Sequence, residues 1–215
     1  MKAPASSASP GTLSSLLVRW LPQPLLTWVV NARTLLRHPM ALTTIGAAFR
    51  RNLAADAGTP WWNDRAIRYL SQHLRPGDRV FEWGSGASTV WLDAHGAKVT
   101  SVEHDLDWVS KVRVRCPAAD VRAIPENAED YVATIDEFED GSFDVVIVDG
   151  TYRAECLRRG ASKVRPGGLL VLDDTDMRQL ARLKKSSLPG WKRVSFTGFK
   201  ASRDVRETTF FRRPQ

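Results

Sequence analysis

The sequence predicts an α/β protein built on a doubly wound, mostly parallel sheet with helices on both faces. Three observations predict it. From residue 60 onward, short apolar runs alternate with helical stripes. The runs FDVVIVDG and LLVLDD are apolar at nearly every position, as strands covered on both faces must be. The end, WKRVSFTGF followed by ETTFFRR, reads as two strands of a hairpin, which would set an antiparallel strand at the C-terminal side.

The elements follow in order. TPWWNDRAIRYLSQHL puts Pro60 at a helix start, with Trp62, Ala66, Ile67, Leu70 and Leu74 on one stripe. RPGD is a turn and RVFEW the first strand. ASTVWLDAHG is a helix ended by Gly96, and KVTSVE the second strand. DLDWVSKVRVR is a helix with Asp105 near its cap, and DVRAI a third strand closed by Pro125. AEDYVATIDEF is helical and EDGS a turn before the strand FDVVIVDG. AECLRRGASKV, the turn RPGG, the strand LLVLDD and the helix MRQLARLKKSS complete the alternation. No internal repeat interrupts it.

The chain of 215 residues suffices for one sizeable domain, read as 56–215, and an extension, read as 1–55. Its net charge is +7, yet residues 1–55 hold Lys2, Arg19, Arg33, Arg37, Arg50 and Arg51 and no acid. The domain itself is close to neutral, which argues against a nucleic-acid partner. The first dozen residues have a disordered composition. The longest uncharged run after them, Trp20 to Ala32, is too short to cross a bilayer and holds Pro22 and Pro24. The apolar stretches are cut by Arg19 and Arg33, which suits a secretory signal poorly. Three readings of the extension stay open: helices forming a lid, peripheral membrane contact through residues 12–51, and a transit peptide. Cys116 and Cys156 show no metal-type spacing and read as reduced thiols of a cytoplasmic protein, with a disulfide as the other reading.

The glycine turn FEWGSGAST lies between a strand and a helix, where such sheets bind ligands. A P-loop would need GK[ST] at the helix start. A dinucleotide fingerprint would need a small residue where Thr89 stands, and Glu82 would repel a pyrophosphate. The remaining ligand type carries positive charge at this end and a nucleoside at the other: S-adenosylmethionine. Its ribose asks for a carboxylate at the end of the next strand, and Glu103 is there.

VFEWGSG, VTSVEH, FDVVIVDG and RPGGLLVLDD together resemble the successive motifs of class I S-adenosylmethionine-dependent methyltransferases, over roughly residues 60–215. The resemblance implies a seven-stranded sheet with the last strand antiparallel. It implies that Glu82, Gly84, Ser85 and Gly86 line the methionine end, and that Ser88 donates to the cofactor carboxylate. Glu103 would grip the ribose, His104 would lie beside the adenosine, and Asn127, Ala128 and Glu129 would contact adenine. Asp149 would face the methyl group and the acceptor, which is read as a small molecule, a sugar or a lipid-linked compound.

Asp149, Asp173 and Asp174 end neighbouring strands, and three converging acids suit a hard cation such as Mg²⁺. The set resembles that of cation-dependent O-methyltransferases of the catechol and macrolide-sugar types. It departs from the catechol type in having Asp174 for Asn, and in offering Tyr152 and Arg153 after the fourth strand. Asp149, His104 or a metal-bound arrangement would take the acceptor proton. Trp61, Trp62, Tyr152 and Arg153 are candidate acceptor contacts. Two alternatives stand beside methyl transfer: aminopropyl transfer, since VEHD and FDVVIVDG also resemble polyamine synthases, and a non-catalytic binding module on the same fold.

Overall fold

The computed structural model describes residues 31–44, 58–200 and 204–215, without the side chains of 185 and 186. Most of the basic extension, and with it the lid, membrane and transit readings, lies outside the described residues. The chain divides into two units, 1–39 and 40–215. In the first, residues 31–37 are helical. Among the described residues no helix is long and apolar enough to cross a membrane.

The second unit holds a seven-stranded sheet. Its strands are β1 (Arg79–Trp83), β2 (Lys98–Glu103), β3 (Asp120–Ala123), β4 (Phe143–Val148), β5 (Val164–Leu172), β6 (Lys192–Phe199) and β7 (Val205–Arg212). Their order is β3-β2-β1-β4-β5-β7-β6. The first five run parallel; β7 pairs antiparallel with β5 on one side and with β6 on the other. Chain order therefore reverses direction between β1 and β4, which places the crevice of a doubly wound sheet at their carboxyl ends.

Side-chain alternation sorts the core into two layers. Val80, Val99, Val145, Ile147 and Val171 pack with Ala66, Leu70 and Leu92 on one face. Phe81, Trp83, Val102, Val146, Val148 and Leu170 pack with Tyr131, Ile135 and Leu157 on the other. The helices supplying these contacts are α1 (Asp64–His73) and α2 (Ala87–Ala94) on the first face, and α4 (Ala128–Ala133) and α5 (Arg153–Lys163) on the second. Between them in the chain comes α3 (Leu106–Arg115), and α6 (Arg178–Ser186) follows β5. Cys116 and Cys156 are buried free thiols in separate clusters, so the disulfide reading is set aside.

Two expectations shift. RPGG is not a turn outside the strand: β5 already begins at Val164, and Gly167 takes φ +73° within it. The first helix starts at Asp64 rather than Pro60. Asn63 caps it, its side-chain oxygen accepting from Ala66 N at 3.1 Å while its amide donates to Phe196 O at 2.9 Å. Fully buried, Asn63 thus ties α1 to the edge strand β6. Asn63→Ala removes both bonds and leaves buried partners unpaired, a loss of about 2 kcal/mol. A urea midpoint equal to that of the parent would refute this role, and Asn63→Ser, which keeps the cap acceptor, should recover part of the loss.

Candidate functional site

The site begins with a backbone collision that only glycine avoids. Gly84, directly after β1, takes φ +95°. A Cβ there would stand 2.7 Å from Gly150 N and 2.8 Å from Gly150 Cα, in the turn after β4. The two turns touch backbone to backbone and then diverge into α2 and α5. Gly86 is different: its φ of 172° is open to any residue, and an added Cβ would meet only Trp108 at ordinary distance.

The glycine turn is braced from behind. Glu82 is fully buried on the face that α2 covers. Its Oε2 accepts from Thr89 Oγ1 at 2.5 Å, and Thr89 Oγ1 in turn accepts from Gly86 N at 2.8 Å. Trp108 Nε1 donates to Ser85 O at 2.8 Å, and the Ser85 and Ser101 hydroxyls are bonded to each other. Burial pushes the Glu82 carboxyl up to about 7, against the pull of Ser88 and Thr89, and its Oε1 has no partner among the described residues. Glu82 therefore lies behind the turn, not along the cleft where the sequence reading set it. The residue that seemed too bulky, Thr89, is what holds it.

In front of the turn opens a cleft of about 570 Å³. Gly84, Ser85, Gly86 and Ser88 line one side; at the N-terminus of α2 Gly86 has no side chain to cap with, and its own N–H is taken by Thr89. Glu103, at the end of β2, lines the next side, its Oε1 accepting from the backbone N–H of His104 at 2.8 Å and Asp105 at 3.1 Å. His104 Nδ1 lies 2.9 Å from the same oxygen, but without the alignment of a hydrogen bond. Trp61 and Trp108, with ring centroids 6.4 Å apart, form an aromatic rim.

The opposite side is ionic. Asp149, Asp173 and Asp174 bring carboxylate oxygens within 4.8 Å of one another, as their strand ends predict. All six oxygens already receive donors. Trp62 Nε1 donates to Asp149 Oδ2 at 2.9 Å and Arg153 to Asp149 Oδ1 at 3.1 Å. Thr208 donates to Asp173 Oδ1 at 2.6 Å and Lys200 Nζ to Asp173 Oδ2 at 2.6 Å. Lys200 Nζ also donates to Asp174 Oδ1 at 2.9 Å, and Arg153 to Asp174 Oδ2 at 3.1 Å. Burial and then the Asp173 charge push the Asp149 carboxyl up, against Arg153 and Lys200. Burial would raise Asp174 as well, but Lys200 and Arg153 outweigh it and hold it low. Burial alone would lower Lys200; its three acidic neighbours outweigh that and raise it. This donor set does not fit Mg²⁺: the bridging position is filled by an ammonium, and the acids are neutralised by side chains of the same chain. Nor does Asp174 cap the following helix, since α6 begins at Arg178 and Asp174 sits at φ +55°.

Ten of the residues singled out from sequence meet in the cleft: Trp61, Gly84, Ser85, Gly86, Ser88, Glu103, His104, Asp149, Arg153 and Asp174. Trp62 is buried in the core with only its N–H reaching Asp149, and Asp173 is wholly buried below. Asn127, Ala128 and Glu129 lie outside: Asn127 caps α4, and the other two line a separate cavity with Arg158 and Arg159. Tyr152 lines a third cavity with Met177 and Leu183. Sequence reasoning missed Trp108, Gly150, Thr151 and Lys200. Gly150 closes the run FDVVIVDG and could have been found; Lys200 follows an edge strand with no local signal.

Residues 83–172 match a family model described as a methyltransferase domain. Among solved structures, the chain is similar to an O-methyltransferase of Bacillus cereus in complex with SAH, at 16% identity over 79% of this chain and 90% of that one, TM-score 0.57. It is similar to the O-methyltransferase TomG of Streptomyces achromogenes, involved in tomaymycin synthesis and solved with SAM, at 17% identity over 80% and 90%, TM-score 0.56. It is also similar to cofactor-bound Rv0187 from MTB, at 20% identity over 84% and 97%, TM-score 0.53. Comparison with curated proteins gives no significant match.

Glu82 provides a test of the brace. Its folded pKa lies above the ordinary 4.5, so the neutral acid is the form the fold prefers. Its contribution is whole below pH 4.5 and is lost as pH rises through about 7, a swing of at most roughly 3 kcal/mol. Glu82→Gln, which cannot ionise, should gain on the parent between pH 5 and pH 8.5 in urea unfolding; a pH-independent difference would count against buried ionisation.

From the last residue of β1 to the end of β5 the chain thus resembles a methyltransferase domain, and its seven-stranded sheet has the fold of O-methyltransferases solved with SAM and SAH.

Proposed function

We propose that the protein methylates an oxygen of a small-molecule acceptor, with S-adenosylmethionine as donor. The observation that carries this reading is one cleft at the β1/β4 reversal that joins a glycine turn, the start of α2 and the Glu103 carboxylate to the ionic wall at Asp149. Each part suits one part of the donor. The first-turn N–H groups of α2 beyond Gly86, with Ser88 beside them, suit its carboxylate. Glu103, oriented by two backbone N–H groups, suits the ribose hydroxyls. The aromatic rim of Trp61 and Trp108 offers flat apolar surface to a base or to an aromatic acceptor.

The donor supplies a methyl group already activated on a sulfonium. The chain's task is alignment and water exclusion, which can be worth roughly 7–11 kcal/mol in well-oriented systems. An acceptor oxygen attacks the methyl carbon, the carbon–sulfur pair returns to sulfur, and the acceptor proton leaves. Asp149 is the better-placed proton acceptor of the two candidates. His104 stands at the end of β2, two strands away from β4, about 10 Å by strand spacing. Structural relatives that are O-methyltransferases support oxygen as the acceptor atom.

Titration calorimetry with S-adenosylmethionine tests the donor half. The intact protein should bind it, and Glu103→Ala should bind about 10- to 100-fold more weakly, the worth of hydrogen bonds to a charged acceptor. Absence of binding by the intact protein would remove the reading altogether.

A further inference from the structure

The acid cluster has the layout of a cation site and a cation already in it. Asp149, Asp173 and Asp174 converge from β4 and β5, and Lys200 Nζ bridges Asp173 and Asp174 from the far end of β6. Arg153 closes the other side, reaching Asp149 and Asp174 and also the carbonyls of Asp149, Gly150 and Asp173. A divalent ion bridging these acids would have to expel the ammonium, leaving a buried lysine without partners, at a penalty that breaking a buried pair always carries. An ammonium has three donors. Two of Lys200's are committed to Asp173 and Asp174, and Lys200 lines the cleft beside Asp149.

We propose that Lys200 is a tethered cation standing where a divalent ion would bridge these acids, so that the domain works without a metal. Its remaining N–H is then offered to a single acceptor oxygen. A divalent ion exposes adjacent coordination positions and can chelate vicinal oxygens; one N–H cannot. The acceptor class that follows is a compound presenting a lone hydroxyl, with no requirement for a neighbouring one. This functional half rests on the methyl-transfer reading. The occupancy itself rests on geometry alone and can be measured without donor or acceptor.

The experiment is Mn²⁺ binding to the full chain, read as loss of the free-ion EPR signal, with S-adenosylmethionine titrated separately on the same preparations. The parent should leave Mn²⁺ free. Lys200→Ala opens the bridging position and should bind one Mn²⁺ about ten-fold or more tightly than the parent, as vacated hard oxygen ligands would. Adding Asp174→Asn to Lys200→Ala should abolish the gain. Thermal melting by circular dichroism identifies a misfolded variant, in which case Lys200→Met takes its place. Stoichiometric Mn²⁺ binding by the parent, lost in Asp173→Asn, overturns the proposal. So does a Lys200 variant that melts cooperatively yet binds no more Mn²⁺ than the parent. Failure to bind S-adenosylmethionine would remove the methyl-transfer reading and leave the occupancy result standing.

Discussion

The contact between the turns after β1 and β4 is the constraint on which the cleft depends. Gly84 and Gly150 approach so closely that neither tolerates a side chain: at Gly84 it would meet the Gly150 backbone, and at Gly150 the Tyr131 hydroxyl and the Gly84 amide. The two strands can therefore end level with each other, and their helices leave on opposite faces. What opens between them is bounded by backbone on one side and by whatever β4 and β5 carry at their ends on the other. Gly84 N still donates to Val102 O at 2.9 Å, and Asp149 N to Trp83 O at 3.0 Å, so the ladder is satisfied up to the point where the strands part.

Charge in this cleft is distributed differently from what a linear reading of FEWGSGAST implies. Placed beside the turn, Glu82 would repel a diphosphate. Buried behind the turn, Glu82 is largely the loop's brace, and its raised pKa means that ionisation works against its own site. The carboxylate that faces the cleft from the β2 end is Glu103. Across from it stand Asp149 and Asp174, each held by Arg153, with Lys200 on Asp174. A nucleoside with a cationic tail still finds an acid at its ribose end and bare N–H groups at the helix start. Glu103 suits the ribose of either ligand, so with Glu82 behind the turn the charge of the cleft alone no longer excludes a diphosphate.

Most of the fold was legible because its signals are local. β1 and β2 coincide with RVFEW and KVTSVE, since apolar runs bounded by a turn and a glycine leave little freedom in where a strand begins. Asp105 was legible as a cap because N-cap chemistry involves only the next three residues; its side chain accepts from Trp108 N at 3.0 Å. The start of α1 was not, because Asn63 is fixed as much by Phe196 on a distant edge strand as by its own helix. The same reason hides Lys200, whose partners lie 26 and 27 residues away. Asn127 was misplaced by the opposite cause. Its local capping bonds to Glu129 N and Asp130 N take the side chain that a family pattern would turn toward adenine.

The ionic wall also explains two left-handed backbone positions. Tyr152 and Asp174, neither of them glycine, sit at φ +48° and +55°, on either side of the strand ends that carry the acids. Each costs of the order of 1–3 kcal/mol. The left-handed turn at Tyr152 starts α5 so that Arg153, its first residue, folds back over the strand ends instead of running into solvent. The turn at Asp174 places its carboxylate between the guanidinium and the ammonium. Burying three acids with two cations is itself unfavourable unless every donor is met. The strained backbone is what lets the donors be met, and it is retained where ligand chemistry would take place.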